Sequence, residues 1–347
     1  MKLILDAMGG DNAPCEIVRG AALAVAEYPD VELILMGAES EIRAICDKEG
    51  LSLERITVID CPDAVTMEDN PRSVVSNKKN SSMAMGLKAL AAGDGEAFIS
   101  AGNTGALMTG ATLYVHCIKG ITRAAIATVL PMEKPLLLLD SGSNVSVTPE
   151  YLQQFAILGS VYMEQVFGIE NPRVGLLNNG TEEHKGTPVM VEAHKLLAST
   201  SGINFVGNIE GKQIPFAECD VLVTDGFTGN IVLKTIEGLS KFILKKLKGM
   251  YKKNIINMLS AAMIKGEFTT LKKEFDSSEY GGAPFLGISK PVFKAHGSSD
   301  ANAIKNAVRQ AREYVLRGVP AIIDARIEKN LAAVPSAAPN NKKGDDQ

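Results

Sequence analysis

Over roughly the first 225 residues, short apolar runs that stop in polar or glycine turns alternate with longer stretches of helical spacing. The runs Lys2 to Leu5, Val31 to Met36, Ile56 to Ile59, Ala97 to Ile99, Leu136 to Leu139, Val174 to Leu177, Asn204 to Val206 and Val221 to Val223 lack strict period-two alternation. Strands buried on both faces read this way, so these runs predict a mostly parallel sheet covered on both sides. Between them, Glu16 to Glu27, Ser81 to Ala91, Gly105 to Val115, Glu150 to Phe167 and Pro188 to Ser199 predict helices. The βαβ rhythm implies a doubly wound α/β fold, in which ligands bind outside the carboxyl ends of the strands.

The last third changes character. From Phe227 the pattern is helical, and residues 241–275 carry nine lysines against Glu267 and Glu274, a local charge of +7. Leu244, Leu247, Tyr251, Ile255, Met258 and Ala262 recur at steps of three or four, which predicts one apolar helical face with a lysine-rich flank. The final residues, VPSAAPNNKKGDDQ, are small, polar and proline-rich and predict a disordered end. The expected organisation is one α/β/α domain over residues 1–331, with 241–275 protruding as a basic amphipathic segment and 332–347 as a tail.

Charge and cysteines narrow the classes. The formal net charge of −4 argues against a globally basic nucleic-acid binder, and with +7 in one segment the remainder carries −11. Five widely spaced cysteines without a CxxC pair predict reduced thiols rather than a disulfide framework or a zinc site. The first apolar run meets Asp6 too early for a signal peptide, and no stretch approaches about 18 apolar residues, so neither export nor a membrane span is expected.

Glycine, at 32 of 347 residues, exceeds the roughly 7% that is usual. The surplus sits where strands turn into helices: DAMGGDNAP (6–14), AFISAGNTGALM (97–108), LLLLDSGSNV (136–145), GLLNNGTEEHKG (175–186), VLVTDGFTGNIV (221–232), YGGAPFLG (280–287) and AHGSSD (295–300). Glycine lets a backbone approach a ligand, and the N–H groups of a helix N-terminus favour an anion. Converging turns of this kind predict a phosphate cradle, whereas any one of them alone reads equally well as a tight turn. The chain has no P-loop, GxGxxG, GxSxG or HExxH motif, which disfavours an ordinary nucleotide site, a serine nucleophile and zinc hydrolysis. His116 reads as structural and His184 and His194 as surface residues, while His296 and Lys185 stand inside glycine turns.

DAMGGDNAP, KKNSSM (78–83), SAGNTGALM, GLLNNGTEEHKG, TDGFTGN, YGGA and HGSSD, in this order over residues 6–300, resemble the phosphate acyltransferase (PlsX) family of bacterial phospholipid synthesis. The resemblance covers nearly the whole chain apart from its tail. It implies a fold like that of the isocitrate and isopropylmalate dehydrogenases and the phosphotransacetylases, and a homodimer. It also implies acyl transfer from acyl-acyl carrier protein to inorganic phosphate, with the acyl phosphate passing to a membrane glycerol-3-phosphate acyltransferase (PlsY-type). Phosphate is itself a nucleophile, so this chemistry calls for positioning and charge shielding and for no metal or cofactor.

On this reading Lys185 binds phosphate or stabilises the oxyanion, and Asn230 contacts the oxyanion or the pantetheine amide. His296 protonates the departing thiol or bonds a phosphate oxygen. The expected substrate cradle comprises Asp6, Gly9, Gly10, Asn103, Thr104, Gly105, Asn144, Asp225, Thr228, Gly229 and Ser298. Leu244, Leu247, Tyr251, Ile255 and Met258 are candidates for docking on an anionic membrane from the cytoplasmic side, and the adjoining lysines are alternatively placed to meet the acidic carrier protein. The competing readings are a phosphate acetyl- or butyryltransferase acting on coenzyme A thioesters, a dehydrogenase on the related fold, disfavoured because Asp11, Asp140 and Asp225 lie in separate turns, and a non-catalytic membrane scaffold that binds acyl carrier protein.

Overall fold

The computed structural model describes residues 1–251, 253, 257, 266, 267 and 281–333. Ile255, Met258, most of the basic segment beyond residue 251 and residues 334–347 lie outside the described residues. Eleven strands form one sheet: β1 (Lys2–Asp6), β2 (Glu32–Gly37), β3 (Ile56–Asp60), β4 (Ala97–Ser100), β5 (Ala125–Pro131), β6 (Pro135–Leu139), β7 (Arg173–Asn178), β8 (Asn204–Glu210), β9 (Val221–Val223), β10 (Ala283–Leu286) and β11 (Val292–Lys294). Their spatial order is β3-β2-β1-β4-β11-β10-β5-β6-β9-β7-β8. All eight expected strands are present.

Two parallel halves, β3-β2-β1-β4-β11 and β6-β9-β7-β8, run in opposite directions and meet through antiparallel pairs that include β10 and β5. Those middle strands, β5, β10 and β11, are the ones the apolar runs did not announce. β10 and β11 span four and three residues, and the glycines around them read as turns. The pairing of β10 with β5 covers two residue pairs, Phe285 with Ile126 and Leu286 with Ala125. Beyond Ile126 the two strands part, and the sheet is split.

Helices cover both faces, as a fold of buried parallel strands requires. One face carries α1 (Cys15–Glu27), α5 (Pro149–Phe167), α6 (Pro188–Ser199), α8 (Ala301–Leu316) and α9 (Val319–Ala333), which share a core with Leu3, Leu5, Ala127, Val129, Leu137 and Leu139. The other carries α3 (Ser82–Ala92), α4 (Thr104–Gly110) and α7 (Gly226–Tyr251). The remaining helix, α2 (Glu39–Glu49), escaped the sequence reading because only Ile42 and Cys46 are buried on its charged length. The expected helix 105–115 stops at Gly110 and continues as a π-helical turn to His116, whose φ of +70° ends it. His194 is buried, not superficial, with its ring centroid 5.1 Å from that of Phe205.

Asp140, fully buried after β6, knits the middle of the sheet to its helices. One carboxylate oxygen accepts from the N–H groups of Ile126 (3.2 Å), Gly142 (3.0 Å) and Ser143 (3.0 Å). The other accepts from Ser143 Oγ (2.7 Å), Asn144 N (2.6 Å) and Asn144 Nδ2 (2.9 Å). Its carbonyl receives the start of α7, where a Cβ on Gly229 would collide with Asp140 O. A buried donor left without its acceptor costs about 1–3 kcal/mol. Asp140→Ala, which orphans several at once, is expected to lower the free energy of unfolding by about 3 kcal/mol or more in urea titration; a loss below about 1 kcal/mol contradicts this role.

Candidate active site

The split opens a cavity of about 430 Å³. Ile126 to Val129 of β5 and Gly281 to Ala283 leading into β10 form its sides, with Asn230, Leu233, Lys234 and Glu237 of α7 above. Lys294, Ala295, His296 and Gly297 close it at the end of β11, and Ser141 and Gly142 at the end of β6.

Lys294 ends β11, where its ammonium donates to the carbonyls of Ala101 (3.0 Å) and Ala295. Burial lowers its pKa to about 8 against the opposing pull of Asp11 and Asp6. Two residues on, His296 is held through Nδ1, which accepts from the backbone N–H of Ser298 at 3.2 Å and lies 2.9 Å from Ser298 Oγ. A backbone amide can only donate, so the network assigns the proton of the neutral ring to Nε2. Burial first, and then the nearby Lys234 cation, hold the His296 pKa below its ordinary value. Lys234 bonds to Glu237 at 2.8 Å. Across the cavity, Ser141 Oγ donates to Ile126 O (3.1 Å) and meets Thr128 Oγ1 (2.7 Å), while Asn230 stands exposed one helical turn before Lys234.

Of the expected site residues, Thr104, Asn230 and His296 line this cavity, and Ser298 joins it through His296. Lys185 does not. It sits on the loop after β7, where its carbonyl accepts from Asn178 Nδ2 (3.0 Å), and its ammonium has no ion-pair partner among the described residues. Most of the expected cradle is occupied in holding turns together. Asp6 is buried beneath the first turn, with burial raising its pKa, and accepts from Ser100 Oγ at 2.6 Å. Gly9 lets that turn pass Asp6 Oδ2, where a Cβ would come within 2.5 Å, and Gly10 takes a φ of +108°.

Asn103 caps α4 through Ala106 N and donates to Met67 O and Asp69 O, both at 3.1 Å, while Gly105 packs against Pro71. Asn144 spends its amide on Ala124 O and Asp140. Asp225 accepts from Thr228 N (2.8 Å) and Thr228 Oγ1 (2.7 Å), so both cap the start of α7, and Gly229 permits its approach to Asp140. Lys294, Lys234, Glu237 and Ser141 escaped the sequence reading. The i, i+4, i+7 spacing of Asn230, Lys234 and Glu237 on one helix was a usable signal. Lys294, at the end of a three-residue strand, offered a weaker one.

A family described as "Fatty acid synthesis protein" matches residues 1–322. The phosphate acyltransferase of Caldanaerobacter subterraneus subsp. tengcongensis is 46% identical over 329 residues, covering 94% of this chain and 98% of that protein. The chain belongs to the phosphate acyltransferase (PlsX) family. A phosphate acyltransferase of Geobacillus sp. (strain WCH70) is 47% identical over 332 residues, covering 95% of this chain and 99% of the other. The fold is shared with a phosphotransacetylase from Streptococcus pyogenes, at a TM-score of 0.63 and 18% identity over 91% of this chain and 94% of that one. The enzyme is thus a transferase on the expected doubly wound, mostly parallel fold.

Only the protonated form of Lys294 attracts an anion, and that form is depleted as pH rises through about 8. Inorganic phosphate is accordingly expected to bind about tenfold more weakly at pH 9 than at pH 7 in calorimetric titration. Lys294→Met should bind weakly at both. A wild-type profile that Lys294→Met does not alter removes Lys294 from the anion site.

Proposed function

We propose that the enzyme transfers the acyl group of acyl-acyl carrier protein to inorganic phosphate, and that the acyl phosphate then serves glycerol-3-phosphate acylation at the membrane. The observation that carries this reading is one cavity lined both by the cationic and polar Lys294, His296 and Lys234 and by the apolar Ile126, Ala127, Val129 and Leu233. A phosphate beside an apolar chain fits such a division.

In this scheme a phosphate oxygen attacks the thioester carbonyl carbon and forms the new C–O bond. The carbonyl pair moves onto oxygen, and its return breaks the C–S bond and releases the carrier thiolate, which takes a proton from solvent. Lys294 and Lys234 offset the charge of the phosphate. The Nε2–H of His296 and the Asn230 amide donate to phosphate or to the developing oxyanion, worth about 10²–10³ in rate for one well-placed donor. Lys185 lies outside the cavity lining.

The described part of α7 supports further assignments. Over residues 241–251 the exposed large apolar side chains are Phe242, Ile243 and Met250, beside Lys241, Lys245, Lys246 and Lys248, whereas Leu244, Leu247 and Tyr251 are half-buried. Among the described residues no helix is long and apolar enough to cross a membrane. We assign this surface to peripheral contact with anionic lipid on the cytoplasmic face, and the exposed Phe227, Ile231 and Leu239 nearer the cavity to a homodimer contact. Changing Phe242 and Met250 to Asp should reduce flotation with anionic vesicles severalfold; unchanged flotation contradicts the lipid assignment.

The reaction is tested by incubating the protein with long-chain acyl-acyl carrier protein and following release of carrier thiol. Release should require phosphate, and Asn230→Ala should slow it about 10²-fold. Equal release without phosphate, or none from the carrier thioester while an acyl-coenzyme A is consumed, overturns the reading.

A further inference from the structure

The cavity does not end at the plane of the sheet. Its lining comes from helices on opposite faces, Asn230 and Leu233 of α7 on one side and Tyr162 of α5 and Gln310 of α8 on the other. A second cavity of about 200 Å³ lies between α5 and α8 and is bounded by the same Tyr162 and Gln310, together with Val166, Phe167 and Tyr314. The two cavities therefore share a wall at the point where β5 and β10 separate. Continued pairing of β10 along β5 beyond Ile126 would close this passage.

We propose that this passage is the acyl-chain subsite, a slot through the sheet that runs from the phosphate mouth to the second cavity, with Ala127, Val129, Tyr162 and Gln310 setting the chain length it accepts. The inference rests on the acyl-transfer reading above and extends it to the substrate's tail. Alternation along β5 turns Ala127 and Val129 towards the α5 and α8 face, where they belong to the same buried core as Tyr162. Their side chains are small enough to leave the split open. Gln310 is fixed at the narrow point, because its Oε1 accepts from the N–H of Gly282 at 3.2 Å. Beyond it the wall is aromatic, with the Tyr162 ring 6.0 Å from Phe167 and 6.2 Å from Tyr314. The Arg309–Glu313 ion pair, at 3.1 Å, lies at the far end.

A slot of this kind reads length. Each methylene that enters it leaves water and tightens binding by about fourfold, until the far end is reached and further carbons gain little. A groove open along one side would show no such limit.

The experiment uses alkyl phosphates from butyl to dodecyl, which keep the anionic head and the tail but are not turned over. Their calorimetric affinities for the full chain should rise about fourfold per carbon and then level off. Ala127→Met, which fills the slot, should bring the plateau to shorter chains and weaken dodecyl phosphate relative to butyl phosphate by tenfold or more. If that variant fails to fold, Phe167→Trp provides an independent reading, since the chain has no Trp of its own. A dodecyl phosphate brominated at its far end should quench that single indole, whereas butyl phosphate should leave its emission unchanged. Affinities that do not depend on length, a length series unaltered by Ala127→Met, or an unquenched indole overturn the slot. Because none of these measurements requires turnover, a failed thiol-release assay with an intact length series rejects the transfer reading alone.

Discussion

A carboxylate with no exposure to water holds the centre of this protein together. Asp140 accepts hydrogen bonds from Ile126 of β5 and from Gly142, Ser143 and Asn144 in the turn after β6, and its carbonyl lies against Gly229 at the start of α7. A buried charge of this kind is tolerable only when its lone pairs are filled by fixed donors. The consequence reaches the cavity directly: Ser141 and Gly142 are adjacent to Asp140 in the chain, and Asn230 follows the glycine that its carbonyl admits. Two walls of the site are therefore positioned by one residue that touches neither phosphate nor acyl chain.

The split sheet is the second constraint. Two parallel halves of opposite direction cannot be joined by continuing either one, and antiparallel strands supply the junction. Because β10 keeps only two residue pairs with β5, the junction is narrow and the chain beyond it is free to diverge. The polar groups gather where β11 and β6 end, and the apolar side chains of β5 lie between them. This geometry supports the proposed amphipathic substrate, since cationic groups and an apolar wall line the same space.

The strands of the two parallel halves, β11 apart, were legible in the sequence because burial on both faces gives short apolar runs without alternation. Of the middle strands, β10 and β11 are four and three residues long and stand among glycines that read as turns, and the seven residues of β5 went unread as well. For the site, the glycine turns pointed to the strand ends around the cavity, and the structure gives many of the polar residues in them hydrogen bonds within the turns themselves. Asn103, Asn144, Asp225 and Thr228 are polar because loops and helix starts need their donors and acceptors filled. Lys294 went unnoticed because a lone lysine at a strand end looks like any solvated one until burial and a shared cavity with His296 are seen.

We propose a single opening through the sheet that holds phosphate at Lys294 and His296 and admits an alkyl tail between β5 and β10. The most direct test is a crystal structure of the protein with a non-hydrolysable long-chain acyl phosphonate. The account predicts phosphonate oxygens within hydrogen-bond distance of Lys294 Nζ and His296 Nε2, with the chain passing Ala127 and Tyr162. A phosphonate bound at Lys185 on the loop after β7, or a chain lying along the outer surface of α7, would contradict it.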